Sequence, residues 1–106
     1  MKKLKFKPHL IQPILDGTKT ITWRLFDDKN LQVGDHLELI NSETGEKFAE
    51  VEIIGSREKQ IKDLTDDDLR NNSYRDRTHV MEVNRECYGD MVNDQTVVKI
   101  IEFKLL

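Results

Sequence analysis

The sequence predicts an α+β domain: a small, mostly antiparallel β-barrel with two to three packed helices. The patterns run strand, helix, several strands, helices, strand, without the regular alternation that a parallel sheet requires. The middle of the chain alternates polar and apolar residues, as half-solvated antiparallel strands do. At 106 residues, 37% apolar and 35% charged, the chain suits one modest core, so residues 1–106 are read as a single domain.

"LKFK" reads as a short strand stopped by Pro8. In "HLIQPILDG", Leu10, Ile11, Ile14 and Leu15 form the apolar stripe of a short helix, and Gly17 is placed to end it. Pro13 is tolerated there if it lies in the first turn, where its missing N–H has no helical partner to lose. "KTITWRL" is β-branched and aromatic, which predicts a strand beginning near Thr20. After the loop "FDDKNLQVGD", "HLELI" and "KFAEVEII" predict two strands joined by the hairpin turn "NSETGE". In the second of these, Ala49, Val51 and Ile53 share one face and Glu50 and Glu52 the other.

"LTDDDLRNN" places Thr65 as an N-cap and Asp66, Asp67 and Asp68 in the first helical turn, where carboxylates favour the positive end of the helix dipole. A further helix is expected from about Asp76 to Tyr88, with Val80, Val83 and Cys87 inward, Met81 and Tyr88 flanking them, and Gly89 ending it. "VVKIIEFKLL" closes the chain as a long strand.

Composition excludes several function classes. Cys87 is the single cysteine, so no intrachain disulfide forms, and a reducing, cytoplasmic setting is expected. The basic start "MKKLKFKPHL" lacks the apolar run of a signal peptide, and no apolar stretch approaches a membrane span. Seventeen Lys and Arg against twenty Asp and Glu give a net charge of −3, which disfavours tight nonspecific binding to long nucleic acid. His9, His36 and His79 show no metal-ligand spacing, so no metal is expected, and the absence of a glycine-rich phosphate loop argues against a nucleotide cofactor.

The residue types in "LDGTKTITWRL" suit a reactive site. Gly17 permits a tight turn from which Lys19 emerges. On the strand Thr20, Thr22 and Arg24 face one side and Ile21 and Trp23 the other, so Lys19 meets Thr22 only from the turn, outside the pleat. A lysine desolvated near an arginine has a lowered pKa, and its neutral amine can activate a hydroxyl. The same residues also suit an ordinary strand with polar groups facing water and a tryptophan in the core. Residue pattern alone leaves both readings open.

"DGTKTITWR" matches the Gly-x-Lys-x-x-x-x-Arg signature of ASCH domains, small relatives of the PUA domain, and "VGDHLEL" and "VKIIEFKLL" resemble the family's later strands. The resemblance covers nearly the whole chain. It implies a PUA-like barrel that recognises RNA or a nucleoside, with Gly17, Trp23, Arg24, Tyr74 and Arg75 as substrate-binding candidates. Lys19-Thr20-Ile21-Thr22-Trp23-Arg24 is most similar to the stand-alone bacterial ASCH enzymes that hydrolyse N4-acetylcytidine. That likeness implies Thr22 as nucleophile and Lys19 as its activator. The expected partner is therefore a modified cytidine nucleoside or single-stranded RNA.

The family's third catalytic member, a glutamate, has no counterpart in "DLRNNSYRDR", where its position falls at Asn72 or Ser73. Asp76, Asp68 and Glu82 are the carboxylate candidates that remain. A noncatalytic RNA-binding module is the alternative, with Lys19 and Arg24 on phosphate and Tyr74, among Arg70, Arg75 and Arg77, stacking on an unpaired base.

Overall fold

A computed structural model describes residues 1–26, 29–72 and 74–106, with backbone alone at Asn71. Asp27 and Asp28 of the predicted loop, and Ser73, lie outside the described residues. In chain order the elements are β1 (Lys2–Phe6), a 3-10 turn (Pro8–Leu10) leading into α1 (Ile11–Leu15), β2 (Ile21–Leu25), β3 (His36–Asn41) and β4 (Lys47–Gln60). There follow α2 (Asp66–Asn71), α3 (Arg77–Tyr88) and β5 (Val97–Leu105), with short 3-10 turns at Ile61–Asp63 and Gly89–Met91.

The five strands form one sheet in the order β1-β3-β4-β5-β2. The sheet is mixed. β3 and β4 are antiparallel, joined by a hairpin in which Asn41 N donates to Glu46 O at 2.8 Å. β1 instead lies parallel to β3, because α1 and β2 intervene and return the chain to the same end, as a parallel pair requires. The predicted α+β class holds.

The chain forms two compact units. The first comprises Met1–Thr22, Asp27–Ser56 and Ile101–Leu106. Its core is built on the inward residues of the strands, Leu4, Phe6, Leu37, Leu39, Val51, Ile53, Ile101 and Phe103, closed by Ile14 of α1 and by Leu31. The expected alternation in β4 is therefore present: Val51 and Ile53 are fully buried while Glu50 and Glu52 remain partly exposed.

The second unit comprises Trp23–Phe26 and Arg57–Ile100. Leu25, Ile61, Leu64, Leu69, Val80, Val92, Val98 and Ile100 are its buried aliphatics among the described residues. Thr65 caps α2 through a capping box, its hydroxyl accepting from Asp68 N at 3.2 Å while the Asp68 carboxylate accepts from Thr65 N at 3.0 Å. Asp76 caps α3, and Gly89 ends it at φ +66°.

Two expected core positions on α3 are exposed instead. Val80 is buried, yet Val83 is 37% exposed and Cys87 is exposed as well. Cys87 lies seven residues beyond Val80 and so on nearly the same helical face. Burial on this helix is confined to the turn around Val80, and Arg85 to Tyr88 are all exposed. Tyr88, 38% exposed, packs edge-on against Phe26 with ring centroids 5.2 Å apart. Among the described residues, no helix is long and apolar enough to cross a membrane.

Candidate functional site

The turn before β2 is tied down by its own side chains. Asp16 Oδ1 accepts from Thr18 N at 3.0 Å and from Thr18 Oγ1 at 2.7 Å, and these bonds hold the Asp16 carboxyl below its usual pKa. Gly17 adopts φ +84°, a left-handed conformation that side chains disfavour. Lys19 N then donates to Pro13 O at 2.9 Å, which fixes where the lysine leaves the turn.

Lys19 precedes the strand, since β2 begins at Ile21, and so lies in the turn, outside the pleat. Its Nζ donates to Ile21 O at 2.8 Å, and burial pulls its pKa below the usual lysine value. Thr22, the residue after this carbonyl, is 9% exposed. Lys19, Gly17 and Thr20 border a cleft of about 280 Å³ together with Ile14, Glu102 and Lys104. Thr22 is not among the residues lining that cleft.

In the second unit, Trp23 stacks on Tyr74 and Tyr74 meets His79 edge-on, with centroids 5.0 and 5.4 Å apart. Asn84 Nδ2 donates to the Tyr74 hydroxyl at 3.5 Å, and burial pushes the phenol pKa up. Trp23 Nε1 and Arg24 Nε are buried donors with no hydrogen-bond partner among the described residues. A desolvated donor without an acceptor carries a penalty of about 1–3 kcal/mol, which an acceptor on a ligand would relieve.

The carboxylate candidates serve as follows. Asp68, 3% exposed, accepts from Lys59 Nζ at 2.7 Å and from Arg57 Nη2 at 3.0 Å in addition to its capping bond. Asp76 Oδ1 accepts from His79 N at 2.7 Å. Glu82 is exposed on α3. Arg75 is exposed, and its backbone N donates to His79 Nδ1 at 3.1 Å. Arg70 pairs with Asp67, and Arg77 donates to Leu64 O. Among the described residues, no group of three or more His, Cys, Asp or Glu side chains is placed to hold a metal ion.

Ile54, Glu102, Lys104 and Leu105, which line the Lys19 cleft, were not singled out by the sequence reading. Phe103 N donates to Thr20 O at 2.9 Å, and this bond brings the end of β5 beside the Gly17 turn. The available signal was the outward parity of Glu102 and Lys104 around buried Phe103.

The fold is that of ASCH domain structures. The chain matches the ASCH domain from Lactobacillus crispatus with a TM-score of 0.66 and 20% identity, over 90% of this chain and 69% of that one. It matches ASCH from Zymomonas mobilis with a TM-score of 0.66 and 8% identity, over 96% of this chain and 65% of that one. Hypothetical protein PH0355 matches end to end, 100% of each chain, with a TM-score of 0.72 and 24% identity. No family model matches the chain, and no curated protein matches it in sequence.

Proposed function

We propose that the protein is an ASCH domain that binds an N4-acylated cytidine nucleoside and hydrolyses its amide, with Thr22 as nucleophile and Lys19 as base. The observation that carries this reading is the partly buried Lys19 amine, whose pKa burial lowers, held at the entrance to β2 three residues before Thr22. A lysine shifted in this direction deprotonates more readily and suits activation of a hydroxyl.

In the proposed reaction Thr22 Oγ1 attacks the acyl carbon while Lys19 Nζ takes the hydroxyl proton. The C–N bond of the tetrahedral intermediate breaks, and the Lys19 ammonium returns the proton to the departing N4 amine. Water, giving a proton to Lys19, then attacks the threonine ester; the ester C–O bond breaks, Lys19 returns the proton to Thr22 Oγ1, and N4-acetylcytidine and water give cytidine, acetate and a proton. In this reading Lys19 carries the proton in both directions, and turnover without the family's glutamate is expected to be slower by about 100-fold or more. Release of cytidine from N4-acetylcytidine by the purified protein tests the reading: turnover is expected in the wild type and absent in Thr22→Ala and Lys19→Ala. Turnover that survives Thr22→Ala overturns the nucleophile.

The capping roles of Asp68 and Asp76 favour a second reading, a noncatalytic nucleoside- or RNA-binding module. No wild-type turnover together with saturable binding of N4-acetylcytidine or a short single-stranded RNA supports it.

A further inference from the structure

The Lys19 cleft has a chemistry of its own. Buried Ile14 and Phe103 contribute to its lining, as do Ile54, 44% exposed, and Leu105, 41% exposed. These two aliphatic side chains offer apolar walls to a ligand tail that enters the cleft. The ionisable groups of the lining are Lys19, Lys104 and Glu102, two cations against one carboxylate, so the cleft carries one net positive charge.

Volume limits the occupant. The cleft, at about 280 Å³, corresponds to roughly nine waters at their share of liquid volume, and so admits a ligand of comparable heavy-atom count. An apolar lining with a single net positive charge disfavours a strongly hydrated dianion, because Glu102 repels it and the apolar walls cannot replace its hydration. A monoanion with a short hydrocarbon tail satisfies both features.

We propose that this cleft is a binding subsite for a small amphiphilic carboxylic acid, its carboxylate toward Lys19 and its tail against Ile54 and Leu105. The subsite shares Lys19 with the proposed reaction but not Thr22, which does not line it, so Thr22→Ala separates the two.

The test is an NMR titration of the full chain with acetate, butyrate, butanol and butyl phosphate, following the backbone amides of Thr20, Glu102 and Leu105. Saturable shifts are expected for butyrate, at an affinity about tenfold above that of acetate, as two further buried methylenes predict. Butanol should bind more weakly than butyrate, and Lys19→Gln should abolish that difference. Ile54→Asp, a change at an exposed position that leaves the core intact, should weaken butyrate. Thr22→Ala should bind butyrate as the wild type does, whatever its effect on turnover. Shifts that never saturate, or equal affinity for butanol and butyrate in the wild type, overturn the proposal. Tighter binding of butyl phosphate than of butyrate overturns it in favour of a phosphate site.

Discussion

The indole of Trp23 stacks on the ring of Tyr74, with centroids 5.0 Å apart and planes inclined by 25°. One face of Tyr74 is thereby occupied from within its own unit. Tyr74→Ala should destabilise the protein by about 2 kcal/mol, because it removes both the half-buried ring and the stack. Tyr74→Phe keeps the stack and loses only the long contact with Asn84, so its effect should stay below about 1 kcal/mol. Trp23 is the sole tryptophan, so its fluorescence during urea unfolding reads both variants directly. An unchanged midpoint for Tyr74→Ala would mean that the ring does not support the fold.

Asp68 joins a capping box to two cations, and its pH behaviour follows. Burial alone would raise its pKa, but the bonds from Lys59 and Thr65 outweigh burial and hold it below the ordinary carboxylate value. A carboxyl depressed in the folded state contributes stability that is present above its unfolded pKa of about 3.9 and is lost as pH falls through the lower folded pKa. Asp68→Asn should therefore destabilise at neutral pH by about 2 kcal/mol and flatten the acid limb of the stability curve. Thr65→Ala should cost about 1 kcal/mol. Because both residues belong to one box, the double variant should cost less than the sum of the two. Thermal melts from pH 2 to pH 7 measure all three.

These two features differ in how far the sequence announced them. The Thr65 cap was legible because its signal is local, a threonine followed three residues later by the aspartate that answers it. The inward phase of α3 was legible at Val80 but not at Cys87, since periodicity gives the face of a helix and not the length over which neighbours cover it. The parallel placement of β1 beside β3 depends on pairing between residues 35 positions apart, as at Lys2 and Leu37, for which no local pattern exists. At the candidate site the Gly17 turn was readable from chain geometry, whereas strand parity left open whether Lys19 sits in that turn or in the pleat. Glu102 and Lys104 were not readable, because a hydrogen bond between Phe103 and Thr20 brings them there across more than eighty residues of chain.

Gly17 offers a clean separation of backbone conformation from contact. A Cβ built on it meets nothing within 4 Å, so the effect of Gly17→Ala comes from φ +84° alone. About 1–2 kcal/mol of destabilisation is expected, and less for Gly17→Asn, which tolerates the left-handed region better. If the turn also sets where Lys19 leaves the chain, Gly17→Ala should lower any cytidine-releasing activity more than Gly17→Asn does. Parallel urea titrations and turnover assays of the two variants check this.

The Lys19 amine provides the sharpest pH prediction. Burial disfavours its charged form, so its pKa lies below the lysine reference of about 10.4. If Lys19 is the base, only the neutral amine activates Thr22, and kcat/KM for N4-acetylcytidine should rise with pH and level off at a midpoint below that reference. Lys19→Arg keeps the cation but cannot deprotonate in this range, so it should lower kcat/KM by about 100-fold or more and abolish the basic limb. If Lys19 only holds an anionic group by its charge, Lys19→Arg should retain most of the activity and the rate should fall as pH rises. The direction of the limb between pH 6 and pH 10 therefore distinguishes a catalytic lysine from a binding one.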